Sequence, residues 1–202
     1  MIADDYPLQT AFSSFARIMQ AKNSDYLHLW YAFSKDFGVS GFRFGLVYSQ
    51  NTDFIRAYQN LNLSHTVSNV TQWILQDILE DQSFLEAYLA ENRRLLTESY
   101  AVVVQTLKAL DIPYVPARGS LFVWADLGRF LREDAETAEM DFWRECYETT
   151  GILLTPGVGF GHPRRGRFRI VHAYFPPPDL SVAMERFRAF VKKKVHSSRF
   201  TV

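Results

Sequence analysis

The sequence predicts an α/β lobe fragment followed by a smaller α+β lobe, and three features carry that expectation. Two apolar, aromatic runs, Tyr26 to Ser34 and Phe42 to Ser49, flank a turn from Gly38 to Gly41 and read as paired strands. Helical spacing then runs from Asp81 to Leu110 through Phe84, Leu85, Tyr88, Leu89, Leu95, Leu96, Val103 and Leu107, long enough to link two lobes. Beyond Asp111, Ile112 and Pro113 the pattern changes to short strands, one amphipathic helix, a Gly/Pro-rich loop and a final helix. The expected organisation is therefore 1–80 as part of a larger domain, 81–110 as a linking helix, and 111–202 as a small domain.

The other elements follow in order. Pro7 to about Gln20 is weakly helical or irregular, and Lys22 to Asp25 is a polar loop. Asn51 to Asn60 reads as a short helix with Asp53 near its start and Phe54, Ile55 and Tyr58 on one face. Ser64 to Leu79 is a second helical stretch, capped by Ser64 or Ser68. Tyr114-Val115 and Ser120 to Leu127 are strands separated by Pro116 and Gly119. Ala138 to Thr149 is an amphipathic helix carrying Phe142, Trp143 and Cys146. Ile152 to Leu154 and Phe168 to Ala173 are short strands around the loop from Thr155 to Gly166. Three prolines from Pro176 break the chain, and Asp179 is expected to cap a last helix reaching about Val195.

Composition narrows the function classes. The 202 residues are 48% hydrophobic, with 22 basic and 22 acidic side chains, so no global field recruits nucleic acid or anionic lipid. The one cysteine, Cys146, has no internal disulfide partner, which fits a reducing compartment. Met1 is followed by Ile-Ala-Asp-Asp, without a basic flank or an apolar core, so no signal peptide is expected, and no apolar run is long enough to span a membrane. A cytoplasmic protein is the expectation. His162 and His172 have no cysteine or acidic partners at ligand spacing, so no metal site is expected.

Lys35 carries most of the chemistry. It ends an aromatic run that reads as a buried strand, and burying an ammonium is costly. A lysine in such a place tends to lose its proton or to bond covalently to a carbonyl compound. Arg43, eight residues on and across the turn, offers a fixed positive charge to an anion beside it. The pair suggests a Schiff-base lysine next to a phosphate-bearing cofactor. The competing readings are an exposed strand-end lysine paired with Asp36 and a surface strand arginine.

With those residues in view, the chain resembles the C-terminal half of the class I/II aminotransferases, the fold-type-I pyridoxal-phosphate enzymes, and within them the 1-aminocyclopropane-1-carboxylate synthase-like branch. Four segments carry the likeness: Ser34 to Gly45 with Lys35 and Arg43, Val67 to Gln72, Gly119 to Leu127, and Thr155 to Phe160 followed by Gly166 to Arg169. The resemblance implies pyridoxal 5'-phosphate as cofactor, held covalently by Lys35 and through its phosphate by Arg43, with Tyr6 as a further cofactor contact. It also implies an α-amino acid substrate whose carboxylate is bound by Arg169. Strand alternation alone leaves Arg167 and Arg169 on one face with Val171, and the family match selects Arg169. The implied reaction is transamination or a synthase-like lyase step, in a protein that forms a homodimer when full length.

The sequence departs from the family pattern in three places. Family members are longer, with a glycine-rich cofactor turn ahead of the segment that begins at Met1. Tyr6 falls on the tyrosine of an Asp-x-x-Tyr pattern, but neither Asp4 nor Asp5 has the aspartate's offset. Ala32 stands where the family places a phosphate-binding serine, and Ser34 is the nearest hydroxyl. These departures define the alternative, a truncated and catalytically silent relative.

Overall fold

A computed structural model describes residues 14–117, 119–131 and 137–198. The chain divides into two compact units, with the boundary between Ala90 and Glu91.

The first unit is built on a hairpin. Helix α1 (Phe15–Lys22) starts at Ser14, whose hydroxyl accepts the Ala16 N–H, and ends at Asn23 in the left-handed conformation. Strand β1 (His28–Ala32) pairs antiparallel with β2 (Gly45–Ser49), Trp30 opposite Val47 and Ala32 opposite Gly45. Both strands are shorter than the apolar pattern suggests. The first stops at Ala32 because Phe33–Asp36 coils into a one-turn helix, α2, closed by the Phe37 N–H donating to the Phe33 carbonyl. Phe33 is buried there, its ring 5.2 Å from Tyr31, 5.0 Å from Phe37 and 5.0 Å from Phe44. Period-two reading cannot detect such a turn inside an aromatic run.

An isolated two-stranded hairpin is marginal, and aromatic packing from a helix supplements it. In α3 (Thr52–Asn62), Phe54 stacks on His28 at 4.0 Å, and Phe54 and Tyr58 meet Trp30 edge-on. Asn51 caps this helix, its side-chain oxygen accepting the Phe54 N–H at 2.9 Å. Helix α4 (Asn69–Glu80) begins after Ser68, whose side chain makes no capping bond, so the expected start at Ser64 is corrected. Helix α5 (Gln82–Ala109) follows the predicted span closely.

The second unit is a four-stranded antiparallel sheet in the order β3-β4-β6-β5: β3 (Tyr114–Val115), β4 (Phe122–Asp126), β6 (Arg167–Val171) and β5 (Thr155–Pro156). Alternation sorts its faces. Val123 and Ala125 of β4 and Phe168 and Ile170 of β6 enter one core with Val103 and Leu107 of α5, Phe142 and Cys146 of α6 (Ala138–Thr150), and Leu180, Met184 and Phe187 of α7 (Pro177–Ser198). Each Val, Leu, Ile, Met or Phe among them contributes roughly 1.5–3 kcal/mol by leaving water.

Two sequence expectations are corrected in this unit. Ile152 to Leu154 is not a strand: the Leu154 carbonyl accepts the Trp143 indole N–H at 2.9 Å, which ties it to α6, and pairing with β6 begins at Thr155. Helix α7 starts at Pro177 rather than after Asp179, since prolines suit a first turn whose N–H groups have no helical partners. Near the end of α7, Lys194 is buried and bonded to Glu145 of α6. It continues the inward line of Phe187, Phe190 and Val191, with Nζ 5.9 Å from the Phe142 ring centroid.

Two titratable core groups explain themselves by packing. Burial pushes the Cys146 thiol up to about 11, so it acts as a small apolar residue. His172 is almost fully buried against Tyr100, and burial pushes its imidazole below the ordinary value, favouring the neutral form.

Two outcomes follow for stability. The unfolded chain protonates His172 before the folded one, so stability present above about pH 6.5 should fall as the pH is lowered below that value. Urea unfolding across that range checks this, and a His172→Leu variant should lose part of the slope. Gly166 has φ +84° and a Cβ there would lie 2.2 Å from the Gly128 Cα. Gly166→Ala should therefore cost about 3 kcal/mol or more. Gly159→Ala, with open space around it, should cost only about 0.5 kcal/mol in the same denaturant titration.

Candidate functional site

Lys35 lies in α2, and its backbone is fixed from beneath by the buried Phe33. The turn is braced on both sides. The Tyr31 hydroxyl donates to Asp36 Oδ2 at 2.6 Å, and the Tyr88 hydroxyl donates to the Phe37 carbonyl at 2.6 Å. Burial first, then the bond to Asp36 and its charge, raise the Tyr31 phenol well above its usual range, so it persists as a donor. The expected strand-end lysine inside a buried strand is corrected: Phe33 takes the inward position, and the helical turn leaves Lys35 solvent-exposed in this chain.

Arg43 closes the same connection. It follows a short 3₁₀ turn (Ser40–Phe42) that packs against α2, and it takes the left-handed conformation with φ 52°. Its Nη1 donates to the Ser40 carbonyl at 2.9 Å, and the side chain is exposed. One hairpin connection thus presents a primary amine and a guanidinium, a donor set suited to an aldehyde and a phosphate. Tyr6 lies outside the described residues.

Arg169 belongs to the second unit. The alternation that buries Phe168 and Ile170 turns Arg169 to the opposite face of the sheet, beside Trp124 on β4. Its guanidinium lies 4.4 Å from the Phe122 ring centroid and 4.8 Å from that of Phe160. One Nη donates weakly to the Thr155 hydroxyl at 3.5 Å, and Nε is buried with no hydrogen-bond partner among the described residues. A half-buried planar fork with a spare donor, held between aromatic rings, is suited to a carboxylate. Arg167, two residues earlier, differs in surroundings: it is buried and pairs with Asp126 at 3.2 Å. The sequence could not separate the two arginines because alternation gives them one face, and only their neighbours distinguish them.

Residues missed by sequence reasoning hold this face in place. Glu139 at the start of α6 is buried, and its two carboxylate oxygens accept the N–H groups of Val158 and Gly166. Trp143, one turn along, ties down Leu154. An acidic residue in the first turn of a helix was the available signal for Glu139, but it bonds across the loop instead of to its own helix. Among the described residues no group of three His, Cys, Asp or Glu side chains is placed to hold a metal, and no helix is long and apolar enough to cross a membrane.

The model of the family described as aminotransferase class I and II matches residues 6–187. A 1-aminocyclopropane-1-carboxylate synthase from Oryza sativa subsp. indica is 34% identical over 168 residues, covering 83% of this chain and 34% of that protein. One from Solanum lycopersicum is 30% identical over 203 residues, covering 95% of this chain and 43% of its own length. The chain therefore spans well under half the length of these relatives. Among solved structures, an aminotransferase from Mycobacterium tuberculosis superposes with a TM-score of 0.75 at 20% identity, covering 93% of this chain and 46% of that one. A Thermus thermophilus aspartate aminotransferase mutant superposes at 0.71 and 20% identity, covering 82% and 43%.

Proposed function

Since the chain belongs to the aminotransferase class I and II family, we propose that it is a pyridoxal-phosphate-dependent enzyme of aminotransferase type acting on a small α-amino acid. Its fold is part of fold type I, the end of the large domain together with the small C-terminal domain. The observation that carries the proposal is a family match running through Lys35, Arg43 and Arg169, each presenting the donor chemistry its role requires.

Bound cofactor would act as an electron sink for the substrate's α-carbon. The chain's own residues do the rest. Lys35 Nζ is the Schiff-base amine, and it removes and returns the α-proton. Arg43 opposes the phosphate charge, with Tyr6 as a further cofactor contact. Arg169 grips the substrate carboxylate and so orients the α-carbon's hydrogen. The relatives named as 1-aminocyclopropane-1-carboxylate synthases support a cyclising lyase reaction beside transamination. A homodimer of the full-length protein in the cytoplasm belongs to the same proposal.

One second reading has specific support. Lys35 is exposed, Ala32 replaces the family's serine, and Arg43 donates to its own Ser40 carbonyl. These favour a catalytically silent relative as the alternative.

Borohydride reduction of the purified chain with pyridoxal phosphate separates the two. The enzyme reading expects one fixed adduct at Lys35, absent in Lys35→Ala. A folded full-length version that takes up no adduct would establish the silent reading instead. In an active preparation, Arg169→Lys should lower kcat/KM for the amino acid about 100-fold, or ~2.7 kcal/mol, because a point charge cannot reproduce the two-pronged grip.

A further inference from the structure

We propose that Glu139 is a positioning residue, a buried carboxylate on α6 that fixes the Phe160–Arg169 stack and through it the orientation of the guanidinium. The inference rests on Arg169 being the carboxylate-binding group.

Glu139 is 3% exposed. Its Oε1 accepts the Val158 N–H at 2.8 Å and its Oε2 accepts the Gly166 N–H at 2.7 Å. These two amides stand at opposite ends of the loop that separates β5 from β6. Two residues beyond Val158 comes Phe160, which ends the 3₁₀ turn Gly157–Phe160 and lies against both the Arg169 guanidinium and the edge of Trp124. Three residues beyond Gly166 comes Arg169 itself. Gly166 is locked as well by its carbonyl, which accepts the Leu127 N–H at 2.7 Å, and by its close approach to Gly128. One carboxylate thus sets the origin of the segment bearing the ring and of the strand bearing the charge.

The chemistry requires a carboxylate in particular. Both of its oxygens are acceptors, matched to two N–H donors. A glutamine supplies one acceptor and turns an NH2 group toward the other N–H, and an alanine leaves both donors buried without partners. Burying a carboxylate is unfavourable unless its bonds are satisfied, so its use here points to the placement of those two amides.

The test uses the whole chain, isotopically labelled, as wild type, Glu139→Gln and Glu139→Ala. Amide exchange at Val158 and Gly166 should speed up at least about 10-fold in the variants, while the Phe168 and Ile170 amides of the core strand change by less than about twofold. The decisive readout is the Arg169 side-chain Nε–H, whose exchange should accelerate about fivefold or more as the ring stack loosens. Faster loop amides with an unchanged Arg169 Nε–H in Glu139→Gln would overturn the proposal and leave Glu139 as a loop staple alone. Unchanged loop amides would overturn it too. Should Glu139→Ala fail to fold, Glu139→Gln decides. None of these signals depends on cofactor or turnover, so a chain that forms no Lys35 adduct leaves this test intact.

Discussion

The pairing of β4 with β6 is the constraint on which the second unit depends. In that ladder Val123 lies opposite Ile170 and Ala125 opposite Phe168, all four turned into the core. The same register puts Trp124 beside Arg169 and Asp126 beside Arg167 on the other face. Slipping one residue would turn a guanidinium into the apolar core and a phenylalanine out of it, so the hydrophobic core and the candidate carboxylate site enforce one another. Core burial supplies the free energy that holds the arginines where they are.

Helix α6 connects the two faces. Phe142 and Cys146 pack into the core, while Glu139 and Trp143 reach the irregular segment from Leu154 to Gly166. That segment has little regular pairing of its own, since β5 is only Thr155–Pro156. Its order comes from side chains that supply the hydrogen bonds a sheet would otherwise give. Loops that bear binding residues gain from such bracing, because a guanidinium recognises a carboxylate only when its plane is fixed.

The first unit solves a different problem. Its lysine and arginine sit on a hairpin connection, and aromatic rings around Phe33 do the anchoring. Sequence reading placed Lys35 at the end of one strand and Arg43 within the next, because an aromatic run resembles a strand whether or not it coils. The hydrogen bond from Phe37 to Phe33 decides the matter in favour of a helical turn. The consequence is chemical: Lys35 is presented at the surface of the connection instead of inside it.

By itself the sequence determined the elements whose periodicity is long or strict. The span of α5, the pairing of β1 with β2, the strand at Phe122–Asp126 and the shared face of Arg167 and Arg169 were all readable, since repeats of 3.6 and of 2 are written into residue order. Tertiary structure alone decided which arginine is paired off by Asp126 and which is left between two rings. It also decided that Lys194 is internal and that Glu139 spans a loop. Those outcomes depend on residues far apart in sequence becoming neighbours, and no local pattern records the distance between side chains on different elements.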